Sequence, residues 1–112
     1  MKKTVEIRKG SAVTQGPLRE DEIEKSAEIL KALANPARLR LVNILVGGER
    51  TVSQLCELSG LKQSMVSQQL KNLRLNGIVG RRKEDSRVFY RLEEKNVVNM
   101  LNCLGRCGCT RD

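Results

Sequence analysis

The sequence has no histidine and no tryptophan, and one Phe and one Tyr are its only aromatic residues among 112. The missing histidine removes the commonest general base and the commonest nitrogen ligand for metals together. With so few rings, a core has to be built from aliphatic side chains, and a hydrophobic share of 39% suffices for a small one. No stretch approaches the roughly 18 consecutive apolar residues of a membrane-spanning helix. Met1-Lys2-Lys3 is basic but no apolar run follows it, so no secretory leader is expected and the chain is read as cytoplasmic. There is no Gly-rich phosphate loop and no nucleophile paired with a base, so an enzyme is not expected. Acidic residues are also scarce beside basic ones, 13 against 21, which leaves a formal charge of +8. Such an excess asks for a polyanionic partner. Nucleic acid fits; a membrane surface would want a basic amphipathic helix carrying Trp or Phe, and none is seen.

A chain of this length is read as one domain with tails. Residues 1–19 mix small, polar and basic types with Gly10, Gly16 and Pro17 as breakers, the pattern of a flexible N-terminal arm. Residues 20–104 carry the periodic patterns of the folded domain, and 105–112 form a Cys-rich tail. A helix is expected from Asp21, with Ile23, Ala27, Leu30 and Ala34 on one side and acids in its first turn. Asn35-Pro36 ends it and opens a second, Asn as cap and Pro in the first helical position. That second helix reads as apolar nearly all round, through Leu39, Leu41, Val42, Ile44, Leu45 and Val46, and Gly47-Gly48 closes it. Thr51 caps a short third helix from Val52 to about Ser59. After a turn at Gly60 a fourth runs from Gln63 to about Asn76, with Gly77 placed to terminate it. Two helices joined by a Gly turn form a helix-turn-helix. Strands over Ile78–Arg82 and Arg87–Leu92, joined by a polar turn from Lys83 to Ser86, make a hairpin. A last helix is expected from Glu93 or Glu94, with Val97, Met100, Leu101 and Leu104 on one side. The fold class is therefore mainly α with a small β-hairpin wing: a winged helix-turn-helix with a helical dimer interface.

The fourth helix carries the chemistry. At roughly 100 degrees per residue, Val66, Leu70 and Leu73 share one stripe. The opposite face holds Ser64, Gln68 and Lys71, flanked by Ser67 and Asn72, with Lys62 and Gln63 at its entrance. Gln and Asn suit adenine, Ser suits several bases, and Lys suits guanine or phosphate, the mixture a helix needs in the major groove. A solvated helix face would look similar by itself. The difference lies in the flanks, where Arg81, Arg82, Lys83 and Arg87 make the hairpin a cationic element able to lie on phosphates. Double-stranded operator DNA is the partner these residues imply.

Taken in order, LKALANPARLRLVNIL, SQLCELSGLKQSMVSQQLKNLRLNGIV and RRKEDSRVFYRL resemble the arsenic-responsive, or ArsR/SmtB, family of small repressors over about residues 21 to 104. The resemblance implies a homodimer joined through its first and last helices. It also implies a repressor that leaves its DNA on a metal, metalloid or redox signal.

Four cysteines bear on that signal. In a reducing compartment free thiols, metal ligands or redox sensors are favoured over structural disulfides. Cys56 lies on the inner side of the third helix and reads first as a small buried hydrophobe, with a role as a ligand held open. Members with a metal site in this helix carry a Cys-x-Cys pair, and here the matching positions are Thr51 and Ser53. The zinc site that some members build between paired last helices uses His with Asp, which a chain without His cannot copy. Cys103, Cys107 and Cys109 fall within seven residues, beside Arg106 and Arg111, which favour thiolates. Three thiolates and no nitrogen donor suit arsenite or antimonite; cadmium, lead or zinc would want a fourth ligand. Cys103 and Cys107 share a helical face if the helix continues through Gly105; if it ends there, the tail can fold its thiols back on Cys103. No obligatory cofactor is implied. Two alternatives stay open: a thiol-redox or persulfide-responsive repressor of the same fold, although the second-helix cysteine of such members is Asn43 here, and a thiol metallochaperone, which would leave the basic face without a task.

Overall fold

The computed structural model describes residues 17–106. Cys107 and Cys109, and the expected arm apart from its last three residues, lie outside the described residues. The elements run α1 (Glu20–Leu33), α2 (Pro36–Leu45), β1 (Arg50–Thr51), α3 (Val52–Ser59), α4 (Gln63–Leu75), β2 (Val79–Glu84), β3 (Arg87–Leu92) and α5 (Lys95–Arg106). This is a winged helix-turn-helix, with five helices and a small antiparallel sheet among the described residues.

Local chemistry sets most of the boundaries. Glu20, Asp21 and Glu22 stand in the first turn of α1, where the helix dipole favours anions, and the Glu22 carboxylate accepts from the Arg19 N–H at 2.9 Å. Asn35 Oδ1 caps α2 by accepting from the N–H groups of Ala37 (2.8 Å) and Arg38 (3.2 Å), with Pro36 in the first helical position. Thr51 and Gln54 form a reciprocal capping box on α3. Gly60, at φ 76°, lets its N–H return to the Cys56 carbonyl, and Gly77, at φ 73°, closes α4 in the same left-handed way.

The core is aliphatic as its composition demands. Leu41 and Val42 of α2, Leu55 of α3, and Val66, Leu70 and Leu73 of α4 are sealed from solvent with Ile78 and Val97. Each such side chain contributes about 1.5–3 kcal/mol relative to an exposed one. Ile29, Ala32 and Leu33 bring α1 onto this cluster, and Val79 and Tyr90 bring the sheet.

Four features differ from the sequence reading. First, α2 is not apolar all round: Leu39 and Ile44 are only partly buried, and Val46 is 41% exposed beyond the helix end. Second, the sheet has a third strand, since β1 pairs with β3 through Arg50↔Tyr90 and Thr51↔Phe89, giving the order β1-β3-β2. Two residues are too short for alternation to register, so β1 leaves no periodic signal in the sequence. Third, the hairpin turn shrinks from Lys83–Ser86 to Asp85 and Ser86, with Glu84 paired to Arg87 and Asp85 at φ 58°. Lys83 therefore stands on β2, and the tip is acidic or neutral rather than cationic. Fourth, α5 starts at Lys95, two residues past Glu93, because the Glu93 and Glu94 N–H groups are held by the Ile78 carbonyl. Of the two endings left open for this helix, the structure takes the one that continues through Gly105, to Arg106.

Candidate DNA interface

The basic side chains of this region stand on α4 and the wing: Lys62 at the entrance of α4, Lys71 and Arg74 along it, and Arg81, Arg82, Lys83 and Arg87 on the two strands, whereas α3 carries none. Gly60, Leu61 and Lys62 join the helices, and the Leu61 N–H donates to Ser59 Oγ at 3.1 Å, which fixes the turn. Lys62 takes the cap position of α4 but offers its first amides no side-chain acceptor, and no acidic residue lies in the first turn. Those amides and the Lys62 charge point to an anion from outside.

Along α4, Ser64, Ser67, Gln68 and Lys71 are exposed on the side away from Val66, Leu70 and Leu73, and Lys62 and Gln63 are exposed at the helix entrance. Among the described residues no hydrogen bond engages the Gln68 side chain. Asn72 is half-buried, and its carbonyl and Oδ1 both accept from the Asn76 amide, at 2.9 and 3.2 Å. It stands in the helix-ending cluster rather than free on the face. Gln69, which the sequence reading left out, is half-buried and accepts from Arg38 Nε at 2.7 Å. A cation in the first turn of α2, where the helix dipole disfavours it, was the signal that could have found this pair.

Register divides the four basic residues of the wing. Residues directly opposite in an antiparallel pair share a face. Arg81 faces Tyr90 and Lys83 faces Val88, so both belong to the side that packs on the helices, extended past the core. Both are exposed and take part in no ion pair among the described residues. Arg82 faces Phe89 on the outer side. Its guanidinium carbon lies 4.7 Å from the ring centroid, with that of Arg87 at 5.4 Å, so the sole Phe is flanked by two cations. Arg82 also donates to Glu49 Oε1 at 2.9 Å and pairs with Glu84. The hydrogen bond from Arg82 holds the Glu84 carboxyl below its ordinary range, and the two carboxylates raise Arg82 in return. Arg82 thus braces the wing against the residue preceding β1.

The face formed by α1 and α5 is of another kind. Lys25 Nζ lies 3.8 Å from Glu94 Oε1 across it. Leu18, Ile23, Leu30 and Leu104 are 45–60% exposed there or alongside, and Leu18, Ile29, Leu30 and Met100 line a shallow groove. Two of the four cysteines fall among the described residues, each as a free thiol. Cys56 is half-buried against the core and Cys103 is exposed on α5. Among the described residues no three ligating side chains stand close enough to hold a metal ion. No helix among them is long and apolar enough to cross a membrane.

A family model described as bacterial regulatory protein, arsR family, matches residues 35–80, the span from the α2 cap into β2. The biofilm growth-associated repressor of Xylella fastidiosa is 40% identical over 93 residues, covering 83% of this chain and 82% of that one. The chain belongs to the arsR family. Its members are DNA-binding transcriptional regulators and not enzymes, in keeping with the surface just described. Among solved structures, reduced HlyU from Vibrio cholerae is similar at a TM-score of 0.73 and 38% identity, covering 81% of this chain and 96% of that one. A homodimeric winged helix-turn-helix DNA-binding domain from Mycobacterium bovis gives a TM-score of 0.67 at 30% identity, covering 74% of this chain and 77% of that one.

Proposed function

We propose that this arsR-family chain is a cytoplasmic, homodimeric repressor that binds double-stranded operator DNA and releases it on sensing a thiophilic effector. The exposed polar face of α4 beside a basic wing carries the reading. Gln63, Ser64, Ser67 and Gln68 read base edges, with Lys71 and Asn72 at the margin. Lys62, Arg81, Lys83 and Arg87 meet phosphates, and Arg82 contributes both charge and the set of the wing. The exposed apolar side chains of α1 and α5 support pairing of two copies, as in the homodimeric Mycobacterium bovis domain.

For the effector we infer trivalent arsenic or antimony, held by Cys103, Cys107 and Cys109. Support comes from the thiol-only donor set, and from Cys103 standing exposed on α5. A redox-responsive reading of the same thiols is kept because a similar protein, HlyU, has been solved in a form specified as reduced. Gel shifts on the chain's own promoter decide. The reduced protein is titrated with arsenite, antimonite, cadmium, zinc and an organic persulfide, alongside the triple serine variant of these cysteines and Cys56→Ser. Release by arsenite in wild type and Cys56→Ser but not in the triple variant supports the metalloid reading. Release by persulfide alone replaces it with the redox reading. A wild-type protein that shifts no promoter fragment specifically refutes the repressor and leaves the metallochaperone.

A further inference from the structure

Arg38 belongs to neither the base-reading face nor the wing, yet it touches three helices. It sits in the first turn of α2, where its own N–H is taken by the Asn35 cap. From there the guanidinium reaches in two directions. Its Nη1 donates to the Ala32 carbonyl at 3.0 Å, in the last turn of α1, and its Nε donates to Gln69 Oε1 on α4 at 2.7 Å. The first contact satisfies a carbonyl at the negative end of α1, where a cation is favoured. The second holds a side chain in the middle of the recognition helix, next to the exposed Gln68 and the buried Leu70. Gln69 is fixed at its other end too, its Nε2 lying 3.4 Å from Met65 Sδ one turn earlier.

We propose that Arg38 is the positioning residue for DNA reading: by bridging Ala32 and Gln69 it sets how α4 is turned relative to α1 and keeps Gln69 out of the groove. The planar fork suits this task because two donors leave it at a fixed angle. The inference rests on the reading that α4 enters the major groove. It assigns to Arg38 no contact with DNA, although a cation beside the DNA-binding helices would ordinarily be given one.

That contrast makes the test. Affinities for the operator and for a random duplex are measured over a range of salt for wild type, Arg38→Met, Gln69→Leu and the double variant. Each single variant is expected to lose about tenfold on the operator, in line with one charge-assisted hydrogen bond. The random duplex and the salt slope should be unchanged, and the double variant should lose no more than the worse single one. Gln69→Leu leaves the Ala32 contact in place, so it keeps the test alive if Arg38→Met folds poorly. Operator affinity unchanged in Gln69→Leu overturns the proposal. So do losses that add in the double variant, or an Arg38→Met that weakens both duplexes with a slope lower by about 0.9 for each phosphate charge removed. Wild type that fails to prefer operator over random duplex refutes the α4 reading itself, a separate result that takes this one with it.

Discussion

Replacing Gln68 by alanine removes an amide that is exposed and engaged by no internal hydrogen bond among the described residues, so any loss of affinity must be intermolecular. Alanine is the best helix former, and the site is on the surface of α4, so folding stability should move by less than about 0.5 kcal/mol. A bidentate amide–adenine contact is worth about 1–3 kcal/mol, or about 5- to 160-fold in affinity per half-site. A two-fold dimer carries the change twice, so the operator complex should weaken by about 2–6 kcal/mol while the random duplex stays within twofold. Fluorescence anisotropy with labelled operator and unlabelled random competitor, repeated at three salt concentrations, reads both terms. The salt slope should be unchanged, because no charge is removed. An equal loss on both duplexes, or none on the operator, would refute the assignment of Gln68 to base reading.

Three further outcomes follow from the same structure. Lys83→Ala should weaken operator and random DNA alike and flatten the salt slope by about 0.9 for each phosphate that is no longer neutralised; an altered base preference would mean that the wing reads sequence. Gly60→Ala has room for its methyl but must hold φ 76°, so chemical denaturation should show a loss of about 1 kcal/mol, and Gly60→Asn a smaller one. The Glu84 carboxyl is lowered by Arg82, so its contribution is present at neutral pH, above the ordinary carboxylate value, and is lost as pH falls through the lowered one. Glu84→Gln should therefore destabilise at pH 7 more than in acid; equal effects at both would show that the pair contributes nothing.

Periodicity and caps made the helices legible: Asn35-Pro36, Thr51 with Gln54, Gly60 and Gly77 each name a boundary through one local bond or one backbone angle. The apolar stripe of α4 was equally plain, because its three sealed residues repeat at helical spacing. What escaped depended on partners far along the chain. Strand β1 exists only because β3 lies beside it, and the brace on Arg82 comes from Glu49, 33 residues earlier. The bond from Arg38 to Gln69 spans 31 residues. Charge composition could say that the wing is basic, but only strand register could divide Arg81 and Lys83 from Arg82 and Arg87. The tail thiols, read as one ligand set, reach the described residues only at Cys103.

The two residues of β1 have an outsized effect on what the molecule can do as a measuring device. They are stitched to β3 on one side and run straight into the capped start of α3 on the other, so wing and helix pair share one frame. On the proposed reading, the distance within a protomer from the base-contacting face of α4 to the phosphate-contacting strand of the wing is then a fixed gauge. A half-site has to offer its groove edge and its flanking phosphates at that separation, whatever its bases. The adjustable quantity is the distance between two such gauges, which is set where one protomer meets the other.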